Sequence, residues 1–427
     1  MKISIIGTGY VGLVSAVGLA ELGHEVWGVN RSPAKIEKLK KGQQIFYEPG
    51  LSKLFKKNLE KNRLHFGTNL TVAINNTDYV FICVGTPPRA DGGADLSAVK
   101  IVAKQIAKFA KKDLIIIDKS TVPIGTARMV QNILKKNKHK FYVVSSPEFL
   151  REGKAVEDFF HGDRLLIGAD DKQVAKKVAN LYAKLKTYKM ITGLETAELT
   201  KYASNVFLAT KISFINEIAI LCEKVGANVE DVAFGMGLDK RINKYFLKAG
   251  LGYGGSCFPK DVKALKHISK TNGFNFKILE AVLEVNMRQR KLVFGKAKKE
   301  LSSLKGKTIT ILGLAFKDNT DDIRESAAID LIKWFSKEGA KVKAYDREAQ
   351  NNAKSVLKDK AFWCKNAYEA CFGSQLVIIA TEWPSFKTLD WAKIKRSMKK
   401  KVIIDGKNLL NREKMEKLGF KYIAIGK

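Results

Sequence analysis

A single cysteine, Cys257, stands between a run of glycines and a run of charged residues. The preceding segment, Gly252-Tyr253-Gly254-Gly255-Ser256, contains three glycines, which allow a backbone to approach a ligand closely. Pro259 suits the first turn of a helix, so the sequence predicts that Cys257 lies at a helix N-terminus. There the helix dipole and the nearby Lys260 favour a thiolate, and Asp261 shares the same helical face. The pattern predicts a reactive thiol beside a carboxylate; the alternative, a buried structural cysteine, is the commoner fate of a free cysteine.

Two further segments carry polar groups that could serve the same chemistry. Lys201 and Asn205 are four residues apart in an apolar stretch with helical periodicity, which places both side chains on one side of a helix. From the spacing alone, the solvated stripe of an ordinary helix is the favoured interpretation, and a pair that acts on one substrate atom is the alternative. The segment Pro147-Glu148-Phe149-Leu150-Arg151-Glu152 places two carboxylates and a guanidinium in a loop after a strand.

The N-terminus carries a glycine pattern that suits a dinucleotide. Gly7-Thr8-Gly9-Tyr10-Val11-Gly12 matches G-x-G-x-x-G between a strand and a helix. Such glycines allow a tight turn and a close approach to a pyrophosphate, which then faces the helix N-terminus. Val84–Pro88 and Ser120–Pro123 end two later strands, at the sheet edge where ligands bind, although each segment alone could be an ordinary turn.

The elements that must position these residues alternate between strands and helices. The sequence predicts strands over residues 2–6, 25–29, 79–84, 114–118 and 141–145, with a first helix over 13–22. A helix of about thirty residues is predicted over 196–225, followed by more helical pattern to about residue 301. Strands over 308–312, 341–345, 376–381 and 402–405, with a helix over 330–337, start a second series. We therefore expect an α/β protein with two Rossmann-like, doubly wound domains, 1–195 and 302–427, joined by a helical central domain, 196–301.

Composition excludes collagen-like, low-complexity and disordered proteins. The chain of 427 residues is 45% hydrophobic and 28% charged, as in ordinary globular proteins. Its net charge of +33 comes from scattered lysines without an arginine-rich arm, so we expect a lysine-rich surface and no nucleic-acid partner. Five cysteines without a CxxC pair favour a reducing compartment and no zinc site. No uninterrupted apolar run reaches the ~18 residues of a membrane span, so we expect a cytoplasmic protein with no membrane partner.

Taken together, these motifs resemble those of the UDP-glucose/GDP-mannose dehydrogenase family. The resemblance covers nearly the whole chain and most closely fits the branch that acts on UDP-glucose. It is carried by several separated segments: Gly7–Gly12, Tyr47–Gly50, Val84–Pro88, Ser120–Pro123, Pro147–Gly153, Glu198–Asn205, Phe214–Glu217, Gly252–Asp261 and Phe316–Ser326.

The resemblance implies a four-electron oxidation of UDP-glucose at C6, with two NAD molecules reduced. Cys257 would trap the aldehyde as a thiohemiacetal, whose oxidation leaves a thioester. Lys201 would act as general base or electrostatic partner of the C6 oxygen, and Asn205 would donate to that oxygen. Asp261, Thr121 and Glu148 would position or activate the hydrolytic water. The same chemistry on GDP-mannose or on an N-acetylated UDP-hexosamine is the alternative.

The resemblance also implies which residues hold the ligands. The expected cofactor-binding residues are Gly7, Gly9, Tyr10, Val11, Gly12, Asn30, Arg31, Lys35, Thr86, Pro87, Ser120, Thr121, Glu152, Lys260 and Arg324. The expected substrate-binding residues are Glu148, Phe149, Leu150, Arg151, Glu152, Lys201, Asn205, Arg241, Lys248, Leu251, Tyr253, Gly254, Phe316, Lys317 and Lys407. Arg241 would reach the substrate of the neighbouring subunit in a homodimer.

Two positions depart from the family pattern. Lys407 stands where the family usually has an arginine, so a point charge replaces a bidentate fork. Asn30 stands where the family carries an acidic ligand of the adenosine ribose. The segment Asn30-Arg31-Ser32, with Lys35 one turn on, lacks the carboxylate that would repel a 2′-phosphate, so NADP is a possible cofactor beside NAD.

Two other classes of function compete with this interpretation. The β-hydroxyacid dehydrogenases share the N-terminal glycine turn and a helical second domain, but they lack the cysteine after Gly-Gly-Ser and the second α/β domain. A polyanion-binding protein would exploit the positive charge, but no basic or aromatic recognition surface is arranged in the sequence.

Overall fold

The computed structural model describes all residues from Met1 to Lys427. By internal contacts the chain forms two compact units, Met1–Ser204 and Asn205–Lys427. The division into three domains stays a prediction.

The first unit alternates strands and helices from its first residues onward. Its elements are β1 (Lys2–Ile6), α1 (Tyr10–Glu21), β2 (Glu25–Val29), α2 (Pro33–Lys40), α3 (Leu51–Glu60), β3 (Leu64–Gly67), α4 (Leu70–Asn75), β4 (Tyr79–Ile82), α5 (Ser97–Phe109), β5 (Leu114–Asp118), α6 (Thr126–Leu134), β6 (Phe141–Ser145), α7 (Ala155–His161), β7 (Arg164–Ala169), α8 (Lys172–Asn180) and β8 (Tyr188–Thr192).

These strands form one eight-stranded sheet in the order β3-β2-β1-β4-β5-β6-β7-β8. Strand β1 pairs with β2 on one side and with β4 on the other, both in parallel. Chain order therefore reverses between β1 and β4, and this is where open α/β sheets bind their ligands. Strands β1 and β4 are buried along most of their length, as expected for central strands covered by helices on both faces.

The second unit starts within a long helix, α9 (Leu194–Val225), which begins in the first unit. Its other elements are α10 (Val229–Gly237), α11 (Phe258–Thr271), α12 (Lys277–Leu301), β9 (Thr308–Leu312), α13 (Ala327–Lys337), β10 (Lys341–Tyr345), α14 (Gln350–Leu357), a 3₁₀ turn (Lys358–Lys360), β11 (Phe362–Trp363), α15 (Ala367–Cys371), β12 (Leu376–Ile379), α16 (Pro384–Lys387), α17 (Trp391–Ser397), β13 (Val402–Asp405), α18 (Arg412–Lys417) and β14 (Lys421–Ile423). Its sheet has the order β11-β10-β9-β12-β13-β14, and all its pairs are parallel.

The predicted α/β fold class is confirmed, with two Rossmann-like sheets and the long helix between them in the chain. The first sheet is not parallel throughout, as the alternation of strands and helices would suggest, because β6 and β7 pair antiparallel. Helix α1 begins at Tyr10, directly after its N-cap residue Gly9, whereas the prediction placed its start at residue 13.

Helix α9 also corrects the expectation about membrane-spanning segments. By length and composition alone it could cross a membrane, with 44% of its most apolar window buried inside the protein. Its sequence contains no uninterrupted apolar run of that length, because Lys211 and Glu217 interrupt it. Three of its polar side chains, those of Lys201, Asn205 and Asn216, are buried, and a core helix of a soluble protein has the same length and composition. The helix is therefore weak support for a membrane partner.

Candidate active site

The glycine turn between β1 and α1 has the geometry that its sequence predicts. Gly7 has a φ of +99°, and a Cβ there would lie 2.7 Å from the carbonyl oxygen of Cys83. A Cβ at Gly12 would lie 1.8 Å from the carbonyl oxygen of Gly7. Gly9, by contrast, faces open space, and no side chain caps the first turn of α1. The turn therefore leaves the amides of a helix N-terminus open to an anion, which fits the pyrophosphate of a dinucleotide.

The residues after β2 are fixed beside this turn. The Asn30 side-chain amide donates to Thr8 Oγ1 at 3.1 Å, and its oxygen accepts from the Ser32 amide at 2.9 Å. The Ser32 hydroxyl in turn caps α2 by accepting from the Lys35 amide. Arg31 and Lys35 are exposed. A neutral side chain therefore occupies the family's acidic position, with two cations in solvent next to it.

Tyr10 links the glycine turn to the loop that carries Glu152. Its hydroxyl donates to the carboxylate of Glu48, which also accepts the amides of Gly153 and Ala155, each at 2.7 Å. Burial and the Glu48 carboxylate raise the pKa of Tyr10. The Tyr47–Gly50 motif therefore fixes the 153–155 loop, a role that the sequence did not reveal because the partners are about 100 residues apart.

The loops after β4 and β5 meet as predicted. The Thr86 hydroxyl donates to the carbonyl oxygen of Thr121 at 2.8 Å, and the Ser120 hydroxyl donates to that of Val84 at 2.8 Å. Both motifs therefore lie together at the carboxyl edge of the first sheet.

A buried group of charges lies beyond this edge, within the first unit. Glu148 is 5% exposed, and its Oε1 lies 3.4 Å from Lys201 Nζ. The Leu150 amide donates to the other oxygen. Lys201 also lies over the ring of Phe149, 5.0 Å from its centroid. Two predicted catalytic residues thus form an ion pair almost out of contact with water.

The sequence missed a second lysine in this group, Lys119. It is 5% exposed, and its Nζ lies 3.5 Å from the carbonyl oxygen of Pro147. Burial lowers the pKa of Lys119 to about 8, an effect that the Glu148 carboxylate opposes and Lys201 reinforces. The available signal was a lysine placed directly after a buried strand, immediately before Ser120.

Arg151 is held by a partner on the helix that follows its loop, α7. Its guanidinium forms an ion pair with Asp158, and Arg164 instead lies over Phe149, 4.0 Å from the ring centroid. The predicted substrate contact of Arg151 therefore competes with an internal ion pair.

In the second unit, Cys257 lies at the N-cap of α11 and Pro259 lies in its first turn, as predicted. Cys257 is partly exposed, whereas the four other cysteines are buried, so the alternative of a buried structural cysteine is not supported. The Ser256 hydroxyl lies 3.6 Å from the Cys257 sulfur. The thiol therefore sits where the helix dipole favours a thiolate.

The carboxylate beside this thiol is fully buried. Asp261 accepts from the Asn205 amide at 2.6 Å and from Lys260 Nζ at 2.6 Å. The ammonium group of Lys260, which the sequence predicts to favour the thiolate, is therefore also bonded to Asp261. Asn205, on the first turns of the second unit, and Asp261 form a pair that the sequence did not predict.

The glycines before Cys257 allow the loop to pack closely against the rest of the second unit. A Cβ at Gly252 would lie 2.4 Å from Asn286 Oδ1, and one at Gly255 would lie 2.7 Å from the ring of Phe316. A Cβ at Gly254 would meet the carbonyl oxygen of Glu325 at 2.4 Å. The close approach is therefore to the protein itself. It packs the loop against Phe316, a predicted substrate residue.

Two residues of α12 that the sequence missed hold Tyr253. Asn286 bonds both the amide and the carbonyl oxygen of Tyr253, at 2.7 and 3.0 Å. Arg290 donates to the same carbonyl oxygen at 3.1 Å and to that of Glu325 at 2.9 Å. The loop before the cysteine is thereby fixed from a helix about 35 residues away.

Three predicted substrate lysines surround one carboxylate in the second unit. Glu382 Oε2 lies 3.0 Å from Lys248 Nζ, and Oε1 lies 3.9 Å from Lys407 Nζ. Lys407, Lys248 and Lys317 lower the pKa of Glu382 to about 2. The cluster carries net positive charge and suits a phosphate-containing ligand. Its anchor, Glu382, was missed because it lies 134 residues from Lys248.

The remaining predicted residues include Arg324, whose carbonyl oxygen accepts the Gly255 amide at 2.9 Å beside the loop before Cys257. Arg241 is 88% exposed at its side chain and pairs with Asp239, while Arg324 pairs with Asp322. Leu251 is buried and lies against Gly406.

Three family models match the chain in succession. Residues 1–186 match the NAD binding domain of the UDP-glucose/GDP-mannose dehydrogenase family, 195–288 match its central domain and 310–412 match its UDP binding domain. The chain belongs to this family. The family resemblance read from the motifs is confirmed, and NAD is the cofactor for which the family's first domain is built.

Known relatives cover the chain from end to end. UDP-glucose 6-dehydrogenase TuaD of Bacillus subtilis is 45% identical over 429 residues, which span 100% of this chain and 93% of that protein. The structure of a UDP-glucose dehydrogenase from Pyrobaculum islandicum is similar, with a TM-score of 0.93, 38% identity and coverage of 99% of this chain and 96% of that one. A UDP-D-ManNAc dehydrogenase from Pyrococcus horikoshii is more distant, at 27% identity and a TM-score of 0.88, covering 100% of this chain and 99% of that one.

Proposed function

We propose that this protein oxidises UDP-glucose at C6 to UDP-glucuronate and reduces two NAD molecules. One observation carries the proposal: a partly exposed cysteine begins helix α11, with a buried Asn205–Asp261 pair beside it. A reaction that stops at the aldehyde has no use for a thiol, whereas covalent capture of the aldehyde by a thiol carries the oxidation on to the acid. The 45% identity to a UDP-glucose 6-dehydrogenase supports this substrate over GDP-mannose or an N-acetylated UDP-hexosamine.

The residues divide the reaction into a series of proton and acyl transfers. NAD supplies the acceptor for each hydride. Lys201 takes the proton of the C6 hydroxyl in the first oxidation, and Asn205 donates to the C6 oxygen. The Cys257 thiolate then adds to the aldehyde carbon, and loss of the second hydride leaves a thioester. Water attacks the thioester carbon, the carboxylate departs from sulfur, and the thiol is regenerated.

In the hydrolytic step, the buried carboxylates act on the attacking water. Glu148, held by the Leu150 amide and Lys201, and Asp261, held by Asn205 and Lys260, each position the attacking water. Thr121, whose backbone carbonyl oxygen accepts from the Thr86 hydroxyl, helps to position the same water. Ionised and hydrogen-bonded carboxylates are suited to accept a proton from that water.

The other expected binding residues follow the same proposal. The glycine turn, Thr86, Pro87, Ser120, Glu152, Lys260 and Arg324 serve the dinucleotide, and the lysines around Glu382 serve the diphosphate of the sugar nucleotide. A homodimer in which Arg241 reaches the neighbouring subunit's substrate agrees with the exposure of that side chain. Five free cysteines suit a reducing, cytoplasmic location.

The test combines stoichiometry with one substitution. The protein is incubated with UDP-glucose, GDP-mannose and UDP-N-acetylmannosamine, and reduced cofactor is counted per sugar. We expect two per UDP-glucose and little reaction with the others. The variant Cys257→Ser should abolish acid formation and leave UDP-glucose binding intact, because only the covalent step needs sulfur. One reduced cofactor per sugar, or acid formation by the variant above a few per cent, contradicts the proposal.

A further inference from the structure

Lys119 is a buried lysine that has no role in the reaction proposed above. Its side chain follows β5 and is 5% exposed. Lysine is almost never this buried without a partner, because removing its charge from water is costly. Its neighbours are the carbonyl oxygen of Pro147, at 3.5 Å, and the ring of Tyr182, 6.0 Å from its centroid. Neither group neutralises a full charge.

The carboxylate that acts on Lys119 is Glu148, which also pairs with Lys201. Glu148 stabilises the charge of Lys119, while Lys201 opposes it. Asp118, next in sequence, gives no compensation, since burial and Glu198 raise its pKa well above the ordinary value. Burial likewise raises the pKa of Cys83 to about 12, so its thiol is neutral. Tyr182 is buried and neutral for the same reason. The ammonium groups of Lys119 and Lys201 are thus both attracted to Glu148.

We propose that Lys119 is a positioning residue for catalysis: its ammonium group competes with Lys201 for Glu148 and so makes Lys201 give up its proton more readily. The inference rests on the proposed function, in which Lys201 accepts the proton of the C6 hydroxyl. To do so, Lys201 must first be neutral. A like charge in a site closed to water disfavours the protonated form of a lysine, a device by which other buried lysines become bases.

The test measures kcat against pH for Lys119→Met and Lys119→Arg. Methionine keeps the length of the side chain but removes the charge, whereas arginine retains it. In Lys119→Met we expect the acid limb of the profile to move up by about one pH unit, the lower end of such charge effects, with about tenfold lower kcat at pH 7. KM for UDP-glucose should change little. Lys119→Arg should keep the limb of the wild-type protein.

Tyr182→Phe provides the matched control, because it alters the packing around Lys119 without changing any charge. A merely structural role for Lys119 would lower kcat equally at every pH, and an unmoved acid limb in Lys119→Met overturns the inference. Wild-type protein that reduces no cofactor with UDP-glucose instead refutes the proposed function, so the two failures are distinguishable.

A second readout does not depend on turnover. In protein labelled with ¹³C at the lysine ε-carbon, the ε-carbon shift reports loss of the ammonium proton. One signal should titrate near pH 8 and vanish in Lys119→Met, and a second, assigned through Lys201→Met, should titrate at higher pH in Lys119→Met than in wild type. A Lys201 titration that does not move contradicts the inference even if the variant is poorly active.

Discussion

Asn30 is the residue at which this chain departs most clearly from its family. Both ends of its side-chain amide are engaged, with Thr8 and with the Ser32 backbone, so it holds the end of β2 without adding negative charge. The exposed Arg31 follows directly and can turn toward a phosphate. Residue chemistry therefore permits NADP in a domain whose family uses NAD.

We expect NADP to be accepted well, and the double variant Asn30→Asp, Arg31→Val to shift the preference toward NAD by one to two orders of magnitude. A restored carboxylate repels the 2′-phosphate, and the lost guanidinium removes a charged hydrogen bond of about 1–3 kcal/mol. The measurement is the ratio of kcat/KM for the two cofactors in both proteins. A more than hundredfold preference for NAD in the unmodified enzyme would show that Arg31 and Asn30 do not serve a phosphate.

The residues that sequence reasoning found and missed differ in one physical respect. Cys257 was placed correctly because Pro259, two residues away, dictates the helix start. Lys119, Glu382 and Asn286 were missed because their roles depend on partners 28 to 134 residues away in the chain. A single sequence shows local backbone preferences but not which distant side chains meet.

At the scale of elements, the first two turns of α9 position helix α6. Glu198 on α9 accepts from the amides of Gly125 and Ala127, at 2.6 and 2.8 Å, where α6 begins without a cap of its own. Gly125 has a φ of +90°, so the turn before α6 requires glycine there. A helix from the far end of the first unit therefore supplies the cap that the loop after Ser120–Pro123 lacks.

This cap should make stability depend on pH. Burial raises the pKa of Glu198 from 4.5 to about 7, and the two amides only partly offset the rise. Since the folded-state pKa is raised, the contribution of this group to stability is greatest below about pH 4.5 and is lost as pH rises through 7. At most about 3 kcal/mol is lost in this way.

The variant Glu198→Gln stays neutral at every pH and keeps one acceptor oxygen. We expect wild type to lose thermal stability between pH 5 and 8 relative to Glu198→Gln, although the variant starts less stable at pH 5 because one amide loses its partner. The difference in Tm between the two proteins is measured across this range. A difference that does not change with pH would mean that Glu198 does not titrate there.

Strands were predictable where a local β-branched run marks them, although the fully buried β4 and β12 end two residues earlier than predicted. Strands β1, β2, β5, β6, β9, β10 and β13 match the prediction residue for residue, because β-branched runs bounded by glycine or charge mark central parallel strands. Strand β11 has two residues and β8 is largely exposed, so neither has an apolar run to reveal it. The antiparallel turn at β7 leaves no local mark, since strand direction depends on the path of the chain.

At the scale of the whole molecule, two neighbouring helices of the second unit expose large apolar side chains. Phe207, Phe214 and Leu221 on α9, Phe234 on α10 and Leu238 directly after α10 are 48–69% exposed. Exposed apolar residues that recur on neighbouring helices are typical of a surface that another subunit covers. We therefore expect a homodimer built on these helices.

Arg241 follows α10 in the same unit, and its side chain is 88% exposed. Its guanidinium pairs with the nearby Asp239 and with none of the charged clusters described above. If it serves a substrate, that substrate belongs to another subunit. Arg241→Ala should then raise KM for UDP-glucose at least tenfold, the loss of roughly one or two charged hydrogen bonds, and leave the dimer intact in sedimentation. The control Arg288→Ala removes an exposed arginine that pairs with Glu217 and should leave KM unchanged.

A complementation experiment with two impaired subunits tests directly whether the site is shared. A dimer that joins an Arg241→Ala chain to a Cys257→Ser chain has one site with an intact cysteine, and that site receives its arginine from the other subunit. Coexpression in equal amounts makes half of the dimers mixed, each with one complete site, so about a quarter of wild-type activity should return at the wild-type KM. If Arg241 acts within its own subunit, no mixed site is complete and the wild-type KM does not reappear. A fully active monomer in sedimentation would exclude the shared site altogether.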